Sequence, residues 1–242
     1  MNDLNYHLDF VVAQSDPLIA NRYLLKSPCL HTQQYTLHIH TQASSAAHAF
    51  NQHSQNNTIQ TFNHWWIWVH QDVYLPLGWD QQFKLGLAKA QNMFDNLGVV
   101  GLYGVAQSGN QVTRIGHVID RSEQLHEKAE MPALVDSLDE LLIATRADLQ
   151  LGFDPALGFD FYATDLVLEA KKRQITSAVI EAPCEHWSSS PKNPPFPNHL
   201  IERVEKSANY FESKWQAQLP ITTPCFAINK IGDTSRFVRL PR

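Results

Sequence analysis

An excess of positive charge is missing from this sequence of 242 residues: 19 Lys and Arg stand against 24 Asp and Glu, a formal net charge of −5 with the 12 histidines neutral. A chain without a basic field has little with which to hold polyanions, so nucleic-acid binding and a basic membrane-facing surface lose their basis. Long hydrophobic runs are missing too, since none approaches the roughly 18–20 apolar residues that span a bilayer. The opening residues Met1-Asn2-Asp3-Leu4-Asn5-Tyr6-His7 lack the basic and apolar regions of a signal peptide, so the expected location is the cytoplasm. Cysteine is scarce: Cys29, Cys184 and Cys225 are far apart without C-x-x-C spacing, which excludes zinc or redox work of that kind and leaves buried thiols. Several motifs are absent as well, among them G-x-x-x-x-G-K-S/T, G-x-G-x-x-G after the first strand, H-E-x-x-H and G-x-S-x-G. P-loop, dinucleotide, zincin and hydrolase-elbow chemistries go with them.

What is present is apolar material: 43% hydrophobic and 10% aromatic residues with 18% charged, enough for the core of one large domain. Leu8 to Ala13 reads as a buried strand, and Asp16-Pro17 as a helix start running to about Leu25. Tyr35 to His40 alternates with period two, and Ser44-Ser45 caps a helix holding Ala46, Ala47, Ala49 and Phe50. Trp65-Trp66-Ile67-Trp68-Val69 is apolar on both faces, as a central parallel strand is, and stops at His70-Gln71-Asp72. A helix over 79–93 and a strand over 98–106 follow. Alternating strands and helices predict an α/β fold with a mostly parallel, doubly wound sheet.

Beyond residue 107 the pattern breaks into short strands at 113–120, 133–135 and 140–145, which predicts a small antiparallel add-on. A helix over 164–173, a strand over 177–180, a Pro- and Ser-rich loop over 183–197 and an amphipathic helix bearing Leu200, Ile201, Val204, Ala208, Phe211 and Trp215 complete the pattern. The expected organisation is a single domain over 1–219, with one half at 1–106, a second at 107–190 and a closing helix at 197–218. Residues 220–242 read as a tail of weak strand character.

Open α/β sheets place their ligands at the C-terminal ends of parallel strands, so polar residues there are candidates for chemistry. Asp72, just past the third strand, is either a carboxylate for a hard divalent ion or the start of a turn. Asp165 is either a residue of the first helical turn, favoured there by the macrodipole, or a general base facing a cleft. His186 is a metal ligand or a surface imidazole. His38-x-His40 puts two imidazoles on one strand face and is expected to be solvated or hydrogen-bonded. The three clustered tryptophans are expected to pack in the core.

In order along the chain, Val69-His70-Gln71-Asp72-Val73-Tyr74-Leu75-Pro76, Asn96 to Gly101, Val135 to Glu140, Phe153-Asp154, Gly158 to Leu166 and Ala182-Pro183-Cys184-Glu185-His186 resemble the family-2-like glycosyltransferases of GT-A fold. Among these the chain is most similar to a small group named after a streptomycin-biosynthesis protein, over roughly residues 8–190. The resemblance implies a GT-A-like, Rossmann-like mixed sheet flanked by helices, and transfer of a hexose-type sugar from a nucleotide-sugar donor to an acceptor hydroxyl with inversion. The acceptor implied is a saccharide or a small molecule, as in polysaccharide biosynthesis, and the resemblance makes 1–106 the nucleotide-sugar half and 107–190 the acceptor half.

Residue by residue, the resemblance implies that Asp72 and His186 hold a divalent cation, Mn²⁺ or Mg²⁺, and that Asp165 is the catalytic base. Ala13, Ser15, Asn51 and Gln71 fall where the nucleotide lodges, and Gly104, Asp139, Glu140 and Trp187 fall toward the acceptor cleft. The family's D-x-D motif is incomplete here, because His70 stands where its first acid would be. Two other readings stand beside this one: a non-catalytic GT-A-like module binding nucleotide or glycan in a biosynthetic assembly, and a metal-dependent phosphohydrolase, which lacks its dense Asp/His clusters. A second subunit is compatible with the final helix and tail.

Overall fold

The computed structural model describes residues 5–55, 59, 61–189, 191, 193 and 195–239. The parts of the expectations above that fall on 1–4, 240–242, Ser190, Lys192 and Pro194 lie outside the described residues.

Because Leu8, Phe10 and Val12 on one face and Val11 and Ala13 on the other are apolar, β1 (His7–Ala13) is stable only where both faces are covered, and Leu8 to Val12 are buried, Asp9 among them. Asp16 then starts α1 (Pro17–Arg22), its carboxylate accepting from Leu18 N at 2.8 Å and Ile19 N at 3.4 Å with Pro17 at the first helical position. The α-helix ends earlier than its apolar pattern predicts, and Leu24–Lys26 continues as a 3-10 turn. After β2 (Thr36–His40), α2 (Ala46–Ser54) opens on Ser45, whose hydroxyl accepts from His48 N at 3.0 Å. β3 (His64–Val69) is buried at every position, β4 (Val73–Tyr74) is a short pairing segment, and α3 occupies Trp79–Met93 as predicted.

The single strand predicted over 98–106 is in fact two, β5 (Leu97–Gly101) and β6 (Tyr103–Ser108), in different sheets. The chain steps between sheets at Leu102, and glycine permits the approach: a Cβ on Gly101 would stand 2.7 Å from Leu138 Cδ2, and one on Gly104 2.5 Å from the Ser137 carbonyl oxygen. β6 turns through Gly109 and Asn110 into β7 (Gln111–Asp120), which carries β8 (Glu123–His126) on one edge. There follow β9 (Ala133–Leu134), β10 (Ser137–Leu138), β11 (Leu142–Arg146), α4 (Tyr162–Lys172), β12 (Thr176–Val179), β13 (Cys184–His186) and α5 (Asn198–Lys214).

The central sheet has the order β2-β1-β3-β11-β5-β12-β9. β1, β2, β3, β5 and β12 run one way, while β11 and β9 run against them. This is the mostly parallel mixed sheet, flanked by helices, that a GT-A-like fold requires. A second sheet, β10-β6-β7-β13-β4, packs beside it. The antiparallel add-on therefore exists but holds different strands from those predicted: segments 133–135 and 140–145 contribute β9 and β11 to the central sheet. The reason is burial, since β11 is buried throughout and its apolar face can be covered only between β3 and β5.

Strand alternation in Trp65-Trp66-Ile67-Trp68-Val69 feeds two cores. Trp66 and Trp68 pack with residues of α2, α4 and α5, such as Phe50, Leu166 and Phe211, while Trp65, Ile67 and Val69 pack with Phe83 and Leu87 of α3. Residues 220–239 are more ordered than a weak strand: β14 (Ile221–Thr222) and β15 (Ala227–Ile228) form a hairpin and Asp233–Val238 forms α6. Ile221, Ile228 and Val238 join the first core, and the buried Glu212 carboxylate of α5 accepts from Gly232 N and Thr234 N, the latter at 3.1 Å. Cys29 and Cys184 are buried thiols, whereas Cys225, expected buried, is exposed on the hairpin. Among the described residues no helix is long and apolar enough to cross a membrane.

Candidate functional site

β1 and β3 are parallel neighbours, so the loops after them, Gln14 to Asp16 and His70 to Asp72, emerge side by side. Gln71 ties them together: its side-chain carbonyl accepts from Ser15 N and Asp16 N, both at 3.0 Å, and its amide donates to Ser15 Oγ at 2.8 Å. β11, running the other way, contributes its beginning rather than its end, and Leu141 O accepts from His70 N at 3.0 Å. That contact brings Asp139 and Glu140 beside His70. A cavity of about 1110 Å³ opens here, walled by these loops, by β7, by Arg203 and Val204 of α5, and by Cys225 and Phe226 of the hairpin.

At its base lie His70, Asp72 and His186, each offering one ligand atom within 4.8 Å of the others. A tight turn, Val73 N to His70 O at 3.2 Å, holds Asp72 beside His70. The pairing of β13 with β4 sets His186 directly across from Val73, which explains how a residue more than a hundred positions later reaches the same place. His186 Nε2 is 3.6 Å and His70 Nδ1 4.0 Å from Asp72 Oδ1.

The remaining ring nitrogens are occupied. His70 Nε2 is 2.7 Å from the Tyr162 hydroxyl, which is also 3.0 Å from the donating Trp68 Nε1 and itself donates to Glu140 O at 3.1 Å. His186 Nδ1 is 3.1 Å from Asp120 Oδ1. Each imidazole is thus held by one nitrogen while the other faces Asp72, the arrangement that orients metal-binding histidines.

Burial pushes the His70 imidazole down against the opposing charge of Asp72, which keeps it neutral and able to donate a lone pair. Burial also resists charge on His186, but the hydrogen bond to Asp120 and the charges of Asp72 and Asp139 outweigh it and its pKa is raised. Glu140 is pushed well above the carboxylate range by burial and by the negative charge of Asp160 and Asp139. Asp160 is bound to Arg203 through two hydrogen bonds, from Nε at 2.9 Å and Nη2 at 2.8 Å, so its charge is spent on fixing α5 to the Phe159 to Phe161 loop.

Of the residues expected from sequence, Ala13, Ser15, Gln71, Asp72, Asp139, Glu140 and His186 all line this cavity. Four do not. Asp165, expected as the base, is 2% exposed and faces α5, where its Oδ1 accepts from Trp215 Nε1 at 2.8 Å and pairs with Lys214 Nζ at 2.7 Å. Thr164, one residue earlier, lines the cavity; a rotation of about 100° further along the helix, Asp165 faces the core. Asn51 is spent on the Phe153 backbone, donating to its carbonyl and accepting from its N–H, both at 2.8 Å. Gly104 is a close-packing residue of β6. Trp187 stacks on Tyr23 with ring centroids 5.7 Å apart and donates to Glu185 Oε2 at 3.0 Å.

Sequence reasoning missed His70, Tyr162, Asp120, Asp160 and Arg203. His70 had a signal, since it sits two residues before Asp72, but it was counted as a missing acid rather than as a nitrogen donor. Asp120 and Arg203 reach the site through pairing and packing that no local pattern announces. His40 and His53 meet through their Nε2 atoms at 2.9 Å, a hydrogen-bonded strand face as expected for His38-x-His40.

A family model described as a glycosyltransferase-like family matches residues 22–208, well over half of the chain. No curated protein matches it.

Proposed function

The chain belongs to this glycosyltransferase-like family, and from that premise we propose that it moves a sugar from a nucleotide-sugar donor to an acceptor hydroxyl with inversion, using His70, Asp72 and His186 to hold a divalent cation. The observation that carries the reading is the donor triad at the strand end in the large cavity, with both outer imidazole nitrogens already bound. Two imidazoles and one carboxylate suit Mn²⁺ better than Mg²⁺, which favours oxygen and keeps its waters. When bound, such an ion neutralises the charge that develops on a leaving diphosphate.

The protein's own part is positional and electrostatic. Gln71 fixes the loop of Ala13 to Ser15 against which the nucleotide lies, and Asp160 with Arg203 fixes the opposite wall. Glu140 takes the acceptor proton. It lines the cavity without the bidentate Arg203 pairing that holds Asp160, and burial with the charges of Asp160 and Asp139 raises its proton affinity, so that in its ionised form it is a stronger base than the paired Asp160. Attack from its side on a sugar held from the opposite side gives inversion.

Release of free nucleoside diphosphate, measured over a panel of nucleotide sugars with Mn²⁺, tests the proposal. Asp72→Ala is expected to abolish turnover with every donor. Glu140→Gln is expected to lower kcat by about 10²–10⁴-fold, the usual worth of a general base, with donor affinity nearly kept. Equal loss of binding and turnover in a folded Glu140→Gln protein refutes the base assignment. The removal of Asp165 from the cavity favours a second reading, a binding module without turnover; metal-dependent donor binding with no product from wild type supports that one instead.

A further inference from the structure

At the end of the central sheet opposite the cavity, β1 and β3 begin side by side with His7 registered directly across from His64. Paired residues of neighbouring strands share a face, and residues two apart on one strand share it too, so His7, Asp9 and His64 project together. His7 Nε2 is 3.4 Å from Asp9 Oδ1, and His64 Nε2 is 3.0 Å from Asp9 Oδ2. One ligand atom from each lies within 4.8 Å of the others. The side chains of His64 and Asp9 are only 8% and 9% exposed, while that of His7 is 57% exposed.

Two buried atoms of this group make no well-aligned hydrogen bond: Asp9 Oδ1, and His64 Nε2, whose 3.0 Å approach to Asp9 Oδ2 is poorly directed. Leaving such atoms unsatisfied in the interior is costly, and a group that accepts lone pairs from both removes the cost. Two imidazole nitrogens and one carboxylate oxygen are also the donor set of three-ligand zinc sites that keep a fourth position open. A tetrahedral centre with bonds of about 2.0–2.1 Å holds its ligand atoms about 3.3 Å apart; here the two imidazoles flank the Asp9 carboxylate, His7 3.4 Å from its Oδ1 and His64 3.0 Å from its Oδ2, and one ligand atom of each residue already lies within 4.8 Å of the others.

We propose that His7, Asp9 and His64 form a second metal site, distinct from the cavity, for a divalent transition-metal ion of the zinc class, with its open position on the solvent side beside His7. The nitrogen-rich donor set sets it apart from sites for Mg²⁺ or Ca²⁺. β3 carries one histidine of each triad, His64 at its start and His70 just past its end, roughly 20 Å apart at about 3.3 Å per residue. The two centres therefore share no ligand, and an ion at this one ties β1 to β3 where the sheet begins. It adds to folded-state stability by mass action.

The test uses the full chain stripped with a chelator and titrated with Zn²⁺, with bound metal counted by elemental analysis and thermal unfolding followed in parallel. Asp72→Ala removes the cavity triad and isolates this site. That protein is expected to keep one zinc per chain and a zinc-dependent rise in Tm. Adding His7→Ala, an exposed position that leaves the core intact, is expected to weaken the remaining zinc on the order of 100-fold or more, since loss of even an outer-shell partner costs 10–100-fold. Asp9→Asn in the same background, checked for folding by circular dichroism, is expected to do the same. An Asp72→Ala protein that binds no zinc, or a zinc affinity unchanged by His7→Ala, overturns the proposal whatever the activity of the cavity.

Discussion

Replacing Asp165 by Ala separates a structural from a catalytic role for the acid that the sequence resemblance favours. Its removal leaves Trp215 Nε1, a buried donor now 2.8 Å from Asp165 Oδ1, without an acceptor, at a cost of about 1–3 kcal/mol. It also breaks the pair with Lys214, but that ammonium keeps Asp154 at 2.7 Å and Glu169 at 3.1 Å. The loss therefore stays below the 3–5 kcal/mol of a buried pair whose partner is stranded. Adding the small void, Asp165→Ala is expected to cost about 2–4 kcal/mol. In a chain of 242 residues this corresponds to a fall in Tm of about 5–12 °C. Asp165→Asn keeps an acceptor for Trp215 and is expected to lose about half as much. Urea unfolding gives the stability, and turnover measured well below the transition is expected to stay within a few-fold of wild type. An Asp165→Asn protein with unchanged midpoint but a turnover lower by about 10²–10⁴-fold would refute the argument and return the base to Asp165.

Gly116 has φ +133° and a Cβ there would stand 2.3 Å from the Leu102 carbonyl oxygen, so Gly116→Ala is expected to cost about 3 kcal/mol or more in urea unfolding, through strain and backbone clash. Asp154 supplies a pH signature. Burial resists its charge, but Lys214 at 2.7 Å, Ala156 N at 2.9 Å and Tyr210 Oη at 2.9 Å hold its carboxyl below its ordinary 3.8. A depressed folded pKa gives stability that is present above the unfolded value and lost as pH falls through the folded one. Stability curves measured from pH 6 to pH 2 are thus expected to fall below about pH 4, and Asp154→Asn is expected to flatten that fall while leaving the slope above it unchanged.

The elements that were legible in the sequence were those whose own residues set their limits. Asp16 and Ser45 capped the helices they were expected to cap, and the run from Trp65 to Val69 became a fully buried strand because no other environment covers both its faces. Segment 140–145 was read as a strand but misplaced, since its sequence fixes its burial and not its neighbours. Asp72 and His186 line the cavity because each follows or ends a strand at the same end of the sheets. Asp165 does not, because helical phase decides whether a residue at an N-terminal turn faces the cavity or the core, and Phe161 enters α4 from a left-handed φ of 69° that local pattern does not reveal. His70 shows that a position can look like a lost motif in sequence and yet stand beside Asp72 and His186 in space.

The place of β11 has a consequence for how the chain is made. β3 and β5 both precede β11 in sequence, yet neither pairs with the other; each is joined to the sheet's other half only through residues 142–146. During synthesis the first three parallel strands can assemble, but they present β3 as an open edge until β11 emerges. A nascent chain halted before that point exposes an apolar strand containing three tryptophans, the kind of unpaired edge that recruits another copy. The segment that brings Asp139 and Glu140 to the cavity is thus also the one that closes the sheet, so these two carboxylates arrive with the event that ends the risk of aggregation.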